Sequence, residues 1–492
     1  MPSTIPYDPA LTLGSIVPME KLQNIIDIAK FQEPADVAQA TLNAQISLKR
    51  SIDMTIQELI DMGVDTTNLI KESQTIGDDI TKAATDYAKA KLDAEKSIAP
   101  LRAKILAVSE EIESPIDYNR SILKQLPLSA DSLQMNVQYF SFDENTQTSQ
   151  SHAATIAGFV SGSLSYLGDT FSSQASASAA SQVNAQHARH DIAGTLVIAI
   201  TCTHKTAQVF APFILDVDKA VRAWNSLFPQ NMIKTNDPAS LAQIEAASET
   251  SEEKHFSILS GATYGSSFVG MVHVLNNTDT TSSQDMDSVA ASFQTQFDTG
   301  SWIAEMSGGF GVDSSFSSSA KNLLSTQNIQ SHCSAITMGI IPSISSSQVK
   351  MAVQQFADFD PAKEMAQLAA LQGATASDNN TVASSAEAAR TGQQMVTLKN
   401  STITSTLSGL SQIDEQANNI IDINSMMTAM DDYIKKCIQG GDNVGVPINY
   451  FLKPITAGMI ARAWLAKYFP NKYNQAGSVD DSKESDKFGS GK

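Results

Sequence analysis

Residues 145–187 read NTQTSQSHAATIAGFVSGSLSYLGDTFSSQASASAASQVNAQH, and Asp169 is their only formally charged side chain. The whole chain has a net charge of −19, so this depletion of charge is a local property. The stretch is too polar for a membrane-spanning helix, which needs roughly 20 consecutive apolar residues. It is also too poor in charge for an ordinary solvated surface helix. We interpret it as a segment that packs on the protein in one state and can move to other surroundings without carrying many ions. Its larger apolar residues are Ile156, Phe159, Val160, Leu164, Tyr166, Leu167 and Phe171.

Segments with strand patterns lie on both sides of this stretch. Residues 132–142 alternate Leu, Met, Val and Tyr with polar side chains, which is the period-two pattern of a half-buried strand. Residues 194–203 read GTLVIAITCT, and their β-branched, uncharged composition favours a more deeply buried strand. The sequence therefore predicts a strand, a low-charge insert and a second strand.

A second unit of the same kind follows. Residues 256–275 are strand-like, residues 276–330 are rich in Ser, Ala, Gly and Gln with a partly helical pattern, and residues 334–343 are strand-like again. We therefore predict two strand–insert–strand units in tandem. If the inserts move to a membrane, their apolar side chains are the candidate lipid contacts. These are Ile156, Phe159, Val160, Leu164 and Phe171 in the first insert, and Phe293, Phe297, Trp302, Phe310 and Phe316 in the second.

Helical patterns surround this central region. Apolar residues recur at spacings of three and four on both sides of it, with charged residues filling most other positions of the N-terminal side. Pro34, Pro100 and Pro115 predict breaks or kinks in the helices. The predicted organisation is an N-terminal arm (1–17), a helical segment (18–127), a central α+β domain (128–345), a second helical segment (346–440), a short apolar helix containing Trp (441–473) and a disordered tail (474–492).

Two short segments share an Arg-Ala-Trp sequence followed by an aromatic residue and proline. They are residues 222–229 and residues 462–470, and the chain has only three tryptophans. We interpret each as a short amphipathic helix whose Trp fills a core and whose Pro ends the helix. The alternative is a shared contact with a ligand or a lipid.

The composition argues against several classes of function. A sequence pI near 4.7 without basic runs disfavours nucleic-acid binding. The chain has no Gly-x-x-x-x-Gly-Lys loop, no His-Glu-x-x-His and no Gly-x-Ser-x-Gly. His187 and His190 could share one helix face and bind a metal, but we interpret them as a polar helix end. We therefore expect no catalytic residue, cofactor, metal or small-molecule substrate.

Cysteine usage and the N-terminus bear on location. Three cysteines, Cys202, Cys333 and Cys437, cannot form a disulfide framework and favour a reducing compartment. The first residues have neither a basic region nor an apolar run, so we expect no classical signal peptide. The expected location is the cytoplasm, or release by a route without such a signal, in a soluble form without a transmembrane helix.

The segment Tyr264-Gly-Ser-Ser-Phe268 carries a resemblance to a known protein family. This segment resembles the Tyr-Gly-Thr/Ser-His-Tyr/Phe motif of the membrane-attack-complex/perforin and cholesterol-dependent cytolysin superfamily, and the resemblance covers roughly residues 130–345. It implies a bent four-stranded sheet and two helical clusters that unfold into pore-lining β-hairpins. Tyr264, Gly265 and Phe268 would then form the central strand and its hinge. Ser267 stands where the family usually has His, and no Gly-Gly pair follows at the family's distance, where residues 275–278 read Leu-Asn-Asn-Thr.

The predicted fold class is α+β, with long helical N- and C-terminal segments flanking a central mixed domain that holds a bent antiparallel sheet and two helical clusters. The predicted function is non-catalytic membrane insertion or pore formation through homo-oligomerisation, with a lipid membrane as the possible second partner. One alternative is a self-associating structural, scaffold or storage protein of the cytosol, which should assemble in buffer alone. A second alternative is an α-helical pore-forming toxin.

Overall fold

The computed structural model combines long helices with one extended, almost entirely antiparallel sheet, and the predicted α+β class is confirmed. It describes residues 4–6, 11, 13–107, 112–127, 132–247, 254–276, 281–298, 303–306, 309–312, 331–340, 342, 353–354, 423–439 and 445–470.

The sheet is built on two long antiparallel strands, β5 (Ile192–Phe210) and β6 (His255–Leu275). Both are rich in β-branched and aromatic residues and are buried along most of their length, as the composition of residues 194–203 and 256–275 predicts. The shorter strands of the sheet are β1 (Thr4–Pro6), β2 (Ile16–Val17), β3 (Leu123–Pro127), β4 (Ser132–Ser141), β9 (Ser331–Met338), β10 (Val353–Gln354) and β11 (Val446–Thr456). A separate hairpin consists of β7 (Ile303–Met306) and β8 (Gly309–Val312).

The two long strands, β5 and β6, each exchange one neighbouring strand for another at the same height in the sheet. In one half of the sheet the order is β4-β5-β6-β9, and in the other it is β3-β5-β6-β11-β1. The change occurs near the pair Thr203 and Gly265, where β5 passes from β4 to β3 and β6 passes from β9 to β11. The register of β5 is irregular between Thr203 and Ala207. Such an irregularity bends a strand and increases its twist, so this level is where the sheet can depart from a plane.

The N-terminal helical segment is a hairpin of two long helices, α1 (Met19–Asp61) and α2 (Thr67–Ala107). Of the predicted breaks or kinks at Pro34 and Pro100, a break is excluded, because each proline lies inside a continuous helix. Proline removes one helical hydrogen bond at a cost of about 3 kcal/mol. Packing next to the prolines offsets that loss, since the neighbouring residues Ala35 and Ile98 are buried together between the helices.

Helices cover both faces of the sheet. On one face α3 (Ser149–Ser163) and α4 (Asp169–His187) lie between the sheet and the α1–α2 hairpin. On the other face lie α7 (Thr281–Asp298) and α8 (Ile423–Gln439). A third core, near the start of β6, contains α5 (Val217–Leu227), α6 (Pro238–Ala247) and α9 (Ala457–Tyr468).

Several of the predicted segments contain secondary-structure elements other than the ones expected from the sequence. The predicted N-terminal arm (1–17) contains two short strands of the sheet, since β1 pairs with β11 and β2 pairs with β6. Residues 18–127 end in a strand, β3, and residues 346–440 contain the strand β10 before α8. Residues 441–473 begin with the strand β11 and become helical only at Ala457. The physical reason is that pairing with β6 determines the conformation of an apolar stretch that has no helical period of its own.

The interpretation of the two Arg-Ala-Trp segments is confirmed. Trp224 lies in α5 and Trp464 in α9, and both are buried in the same core. Each helix ends just before the aromatic residue and proline, at Leu227 and Tyr468 respectively. The two tryptophans therefore stabilise one packed cluster.

Candidate functional site

Both predicted inserts leave the same end of the sheet. Insert 1, residues 145–187, lies in the connection from β4 to β5, and insert 2, residues 276–330, joins β6 to β9. At this end Ser141 pairs with Gly194, and Leu275 pairs with Ile192. We call it the exit end. Because β4, β5, β6 and β9 are consecutive and antiparallel, each insert connects two adjacent strands.

Insert 1 folds as a helical hairpin. A capping box starts α3, in which the Thr148 hydroxyl accepts from the Ser151 amide while the Ser151 hydroxyl accepts from the Thr148 amide. The apolar residues predicted to contact lipid all point into the core in this state, and they pack against side chains such as Val197 of β5 and Leu42 of α1. The buried candidates are Ile156, Phe159, Val160, Leu164 and Phe171.

Small residues let α3 lie close to the α1–α2 hairpin. A Cβ atom placed on Gly158 would lie 3.6 Å from the Cβ of Ala84 in α2, and it would collide with the side chain of Leu42. Nearby, the Ser161 and Tyr87 hydroxyls form a hydrogen bond of 2.6 Å, and the Gln39 side chain donates to Ser161. Neutral polar groups therefore form part of this interface, as the low charge of insert 1 predicts.

Two histidines join the two helices of insert 1. His152 Nδ1 lies 2.8 Å from His187 Nε2, and His152 Nε2 lies 3.2 Å from the Phe140 carbonyl oxygen. Phe142 packs against both rings. Because a carbonyl can only accept, His152 carries its proton on Nε2 and accepts from His187 at Nδ1. The sequence pattern pairs His187 with His190 and gives no sign of His152, which comes close to His187 only because α3 and α4 are antiparallel.

Burial makes protonation of this pair unfavourable. Burial and, to a smaller extent, the neighbouring His187 lower the pKa of His152 to about 3, while the hydrogen bond to Phe140 acts in the opposite direction. Burial also lowers the pKa of His187, and the charge of Asp191 partly counteracts this. Both imidazoles are therefore neutral near pH 7 and would resist taking up a proton while insert 1 stays folded.

Insert 2 begins with α7, which is attached to α1 by a buried ionic cluster. Lys49 Nζ lies 2.6 Å from Asp53 Oδ2 and 3.1 Å from Asp287 Oδ1. The Ser288 hydroxyl donates to Gln57 of α1. The two carboxylates raise the pKa of Lys49 despite its burial. Burial raises the pKa of Asp287 to about 6 with a further contribution from the nearby Asp53, although the charge of Lys49 acts in the opposite direction.

The structure describes only some of the candidate lipid contacts of insert 2. Phe293 is buried in the core beneath α7, and Phe297 is partly buried against it. Phe310 belongs to β8. Trp302 and Phe316 lie outside the described residues. The two described phenylalanines of α7 thus point inward, like the apolar residues of insert 1.

Gln294 of α7 covers the outer edge of β4. Its Oε1 accepts from the Val137 amide at 2.9 Å, and its Nε2 donates to the Met135 carbonyl at 3.1 Å. These backbone groups lie on the side of β4 away from β5. The Gln294 amide thus satisfies a peptide donor and a peptide acceptor that would otherwise be open to another strand.

The segment that carries the family resemblance lies where the sheet changes neighbours. Tyr264 donates its hydroxyl to Gln208 Oε1 at 2.8 Å. A Cβ atom on Gly265 would lie 2.7 Å from Leu167 Cδ2 and 2.8 Å from Ile448 Cδ1, so glycine allows insert 1 and β11 to approach here. Phe268 is buried, and its ring centroid lies 5.7 Å from that of Tyr433 in α8.

Comparison of the chain with protein-family models, curated proteins and solved structures returned no match. In the described part of the chain, no helix has the length and apolar composition that a bilayer span requires. Within the same residues, no group of three or more His, Cys, Asp or Glu side chains is arranged to hold a metal ion.

Proposed function

We propose that this chain is a non-catalytic membrane-inserting protein that acts as a homo-oligomer. Insert 1 would refold from its two helices, and insert 2 from α7 and the β7–β8 hairpin, into long β-hairpins. The observation that carries the proposal is the common exit end. Two inserts that connect adjacent antiparallel strands at one end can continue those strands in the same direction. Refolding would thereby extend β4, β5, β6 and β9 with their order and hydrogen bonding preserved.

The lengths of the inserts support this function. Each insert spans on the order of 50 residues, so each arm of a hairpin could contain about 20 residues, whereas a tilted transmembrane strand needs about 9–11. The composition of insert 1 also fits, since residues that leave a protein core for a lipid boundary should carry few charges. Its buried apolar residues would exchange one apolar environment for another.

A disulfide between insert 1 and α2 tests the proposal. The 3.6 Å separation between the Cβ of Ala84 and a Cβ placed on Gly158 suits a disulfide, whose Cβ atoms lie about 3.5–4.5 Å apart. We expect the oxidised Ala84→Cys/Gly158→Cys protein to release at least tenfold less dye from liposomes than its reduced form. The matched controls are the two single-cysteine variants and the wild-type chain, each with and without reductant.

The alternatives predict other results. A cytosolic scaffold should form oligomers in buffer, seen by size-exclusion chromatography, and should release no dye in either redox state. An α-helical pore former should release dye without gaining strand structure, whereas refolding of the inserts should raise the β-sheet signal in circular dichroism when vesicles are added. Leakage that is indifferent to the disulfide would contradict the refolding of insert 1.

A further inference from the structure

The turn between α1 and α2 lies at the end of the helical hairpin and carries a group of exposed apolar side chains. The side chains of Ile60, Met62 and Val64 are 47%, 67% and 48% exposed. Ile56, Leu59, Leu69 and Ile70, which lie just behind them, are only half-buried. We call residues 60–65 the tip. Large apolar side chains concentrated at one exposed place commonly mark an interaction site.

The backbone of the tip is well defined. The Val64 amide donates to the Leu59 carbonyl and the Gly63 amide donates to the Ile60 carbonyl, both at 2.9 Å. Gly63 has a φ of 71°, so these bonds form the glycine-dependent end that stops α1. Asp65 then accepts hydrogen bonds from the amide and hydroxyl of Thr67 at the start of α2. Hydrogen bonds therefore define the backbone from which the apolar side chains project.

The path of α1 places the tip near the exit end. The helix starts after β2, which pairs with Ile258 near the beginning of β6. With 43 residues it is about 64 Å long, close to the roughly 69 Å of the 21-residue β6. Near its end, Lys49 and Gln57 contact the first half of α7, which follows the last residue of β6. The tip lies one turn beyond Gln57.

The local charge indicates which membrane surface the tip would accept. Residues 58–72 contain Glu58, Asp61, Asp65 and Glu72 against a single cation, Lys71. An anionic lipid surface would repel this group, in a chain whose net charge is already −19. A zwitterionic surface would not, and apolar side chains at a helix end can enter its headgroup region.

We propose that the tip is the docking site of this protein on a zwitterionic lipid bilayer, with Ile60, Met62 and Val64 entering the interface before either insert moves. This inference rests on the proposed function for its choice of partner. It adds a contact that neither insert supplies, because the apolar residues described in α3, α4 and α7 are buried or partly buried in the folded protein.

The test compares substitutions at the tip with substitutions of exposed apolar residues earlier in α1, a part of the helix here called the shaft (Phe31 to Leu48). The variant Ile60→Ser/Met62→Ser/Val64→Ser removes the apolar tip. Its matched control is Phe31→Ser/Val37→Ser/Leu48→Ser, since these three residues of the same helix are 45%, 62% and 48% exposed. Binding to phosphatidylcholine vesicles is measured by co-sedimentation of the full chain. We expect at least a tenfold loss for the tip variant, less than a twofold change for the shaft variant, and weaker binding of the wild type to vesicles containing phosphatidylserine.

A second readout follows the tip directly. Cys202, Cys333 and Cys437 are buried, so Met62→Cys and Val37→Cys can each be labelled with an environment-sensitive fluorophore. We expect a blue shift on vesicle addition for the label at residue 62 and none at residue 37. Unchanged emission at residue 62, equal binding losses for tip and shaft variants, or a tip variant that alters only self-association in buffer would each overturn the proposal.

Docking can be separated from insertion with the oxidised Ala84→Cys/Gly158→Cys protein. The disulfide holds insert 1, so this protein should sediment with phosphatidylcholine vesicles as well as its reduced form does. If the unlocked protein binds through the tip and releases no dye, docking is retained and the refolding proposal fails. If dye is released equally by the tip variant and the wild type, docking at the tip is wrong and refolding is retained.

Discussion

Gln294 and Val137 are joined by a hydrogen bond of 2.9 Å, from the backbone amide of Val137 to the side-chain oxygen of Gln294. With the second bond to Met135, this side chain occupies the place of a neighbouring strand on β4. The residue that covers the strand edge belongs to insert 2. Departure of α7 from the sheet would therefore uncover a strand edge that can pair with a second copy of the chain.

Replacing Gln294 tests this arrangement. We expect Gln294→Ala to lower the free energy of unfolding by about 1–3 kcal/mol, because two buried backbone groups lose their partner. We also expect greater self-association at equal concentration, measured by analytical ultracentrifugation. The control is Gln296→Ala on the same helix, where the side chain bonds Ser292 instead of β4. Equal association of the two variants would contradict a guarding role for Gln294.

Acid should loosen insert 1 through His152. Its pKa is about 3 in the folded protein against an ordinary value of 6.5, so the unfolded state takes up the proton first and stability is lost as the pH falls below 6.5. At pH 5 the loss from this group is about 2 kcal/mol. Hydrogen exchange of residues 149–187 measures it, and His152→Gln should remove most of the pH dependence while His190→Gln should not.

Protonation of Asp287 should affect stability in the opposite direction from protonation of His152. Its raised pKa means that the folded state takes up the proton more readily, so acidification between about pH 6 and 4 favours the folded state at α7. Hydrogen-exchange protection factors, which correct for the pH dependence of the intrinsic exchange rate, should therefore rise or stay unchanged on α7 over the pH range in which those on α3 and α4 fall. A parallel fall of the protection factors in both inserts would contradict these assignments.

Removal of the Lys49 charge should weaken the attachment of α7 to α1. Lys49→Met leaves the buried carboxylate of Asp53 and the carboxylate of Asp287, whose side chain is 28% exposed, without their cation. We expect a loss of about 3 kcal/mol in urea denaturation. The matched variant Asp287→Asn should not destabilise the protein, because the raised pKa of Asp287 means that its charge is unfavourable in the folded state, and because the 2.6 Å contact between Lys49 and Asp53 remains. Equal losses would show that the Asp287 contact, rather than the cation, dominates the cluster.

Gly265 should not tolerate a larger residue. A methyl group there would approach Leu167, Ile448 and the carbonyl of Cys202, so Gly265→Ala should cost about 1–3 kcal/mol in thermal or urea unfolding. Gly77 in α2 provides the control, since nothing lies within 4 Å of a Cβ placed on it. Gly77→Ala should stabilise the protein by about 0.5–1 kcal/mol, as expected in a helix interior.

Local sequence patterns were enough to predict many of the helices and strands. The alternation in residues 132–142 predicted β4, the β-branched runs predicted the centres of β5 and β6, and the spacing of apolar residues predicted the N-terminal helices. These predictions succeed because the side chains that define a strand or helix face lie two to four residues apart. The low charge of insert 1 was likewise visible, and its helices pack partly through neutral polar groups.

The amino-acid sequence by itself thus determined the α+β class, most of the elements that flank the two inserts and the poverty of charge in insert 1. The tertiary structure alone decided that both inserts leave one end of the sheet, that His152 meets His187, that Gln294 covers β4, and that Pro34 and Pro100 lie within unbroken helices. Each of these depends on residues brought together from distant parts of the chain, or on packing that outweighs a local preference. A pattern of near neighbours in sequence contains no information about such contacts, because the path of the chain through the whole fold creates them.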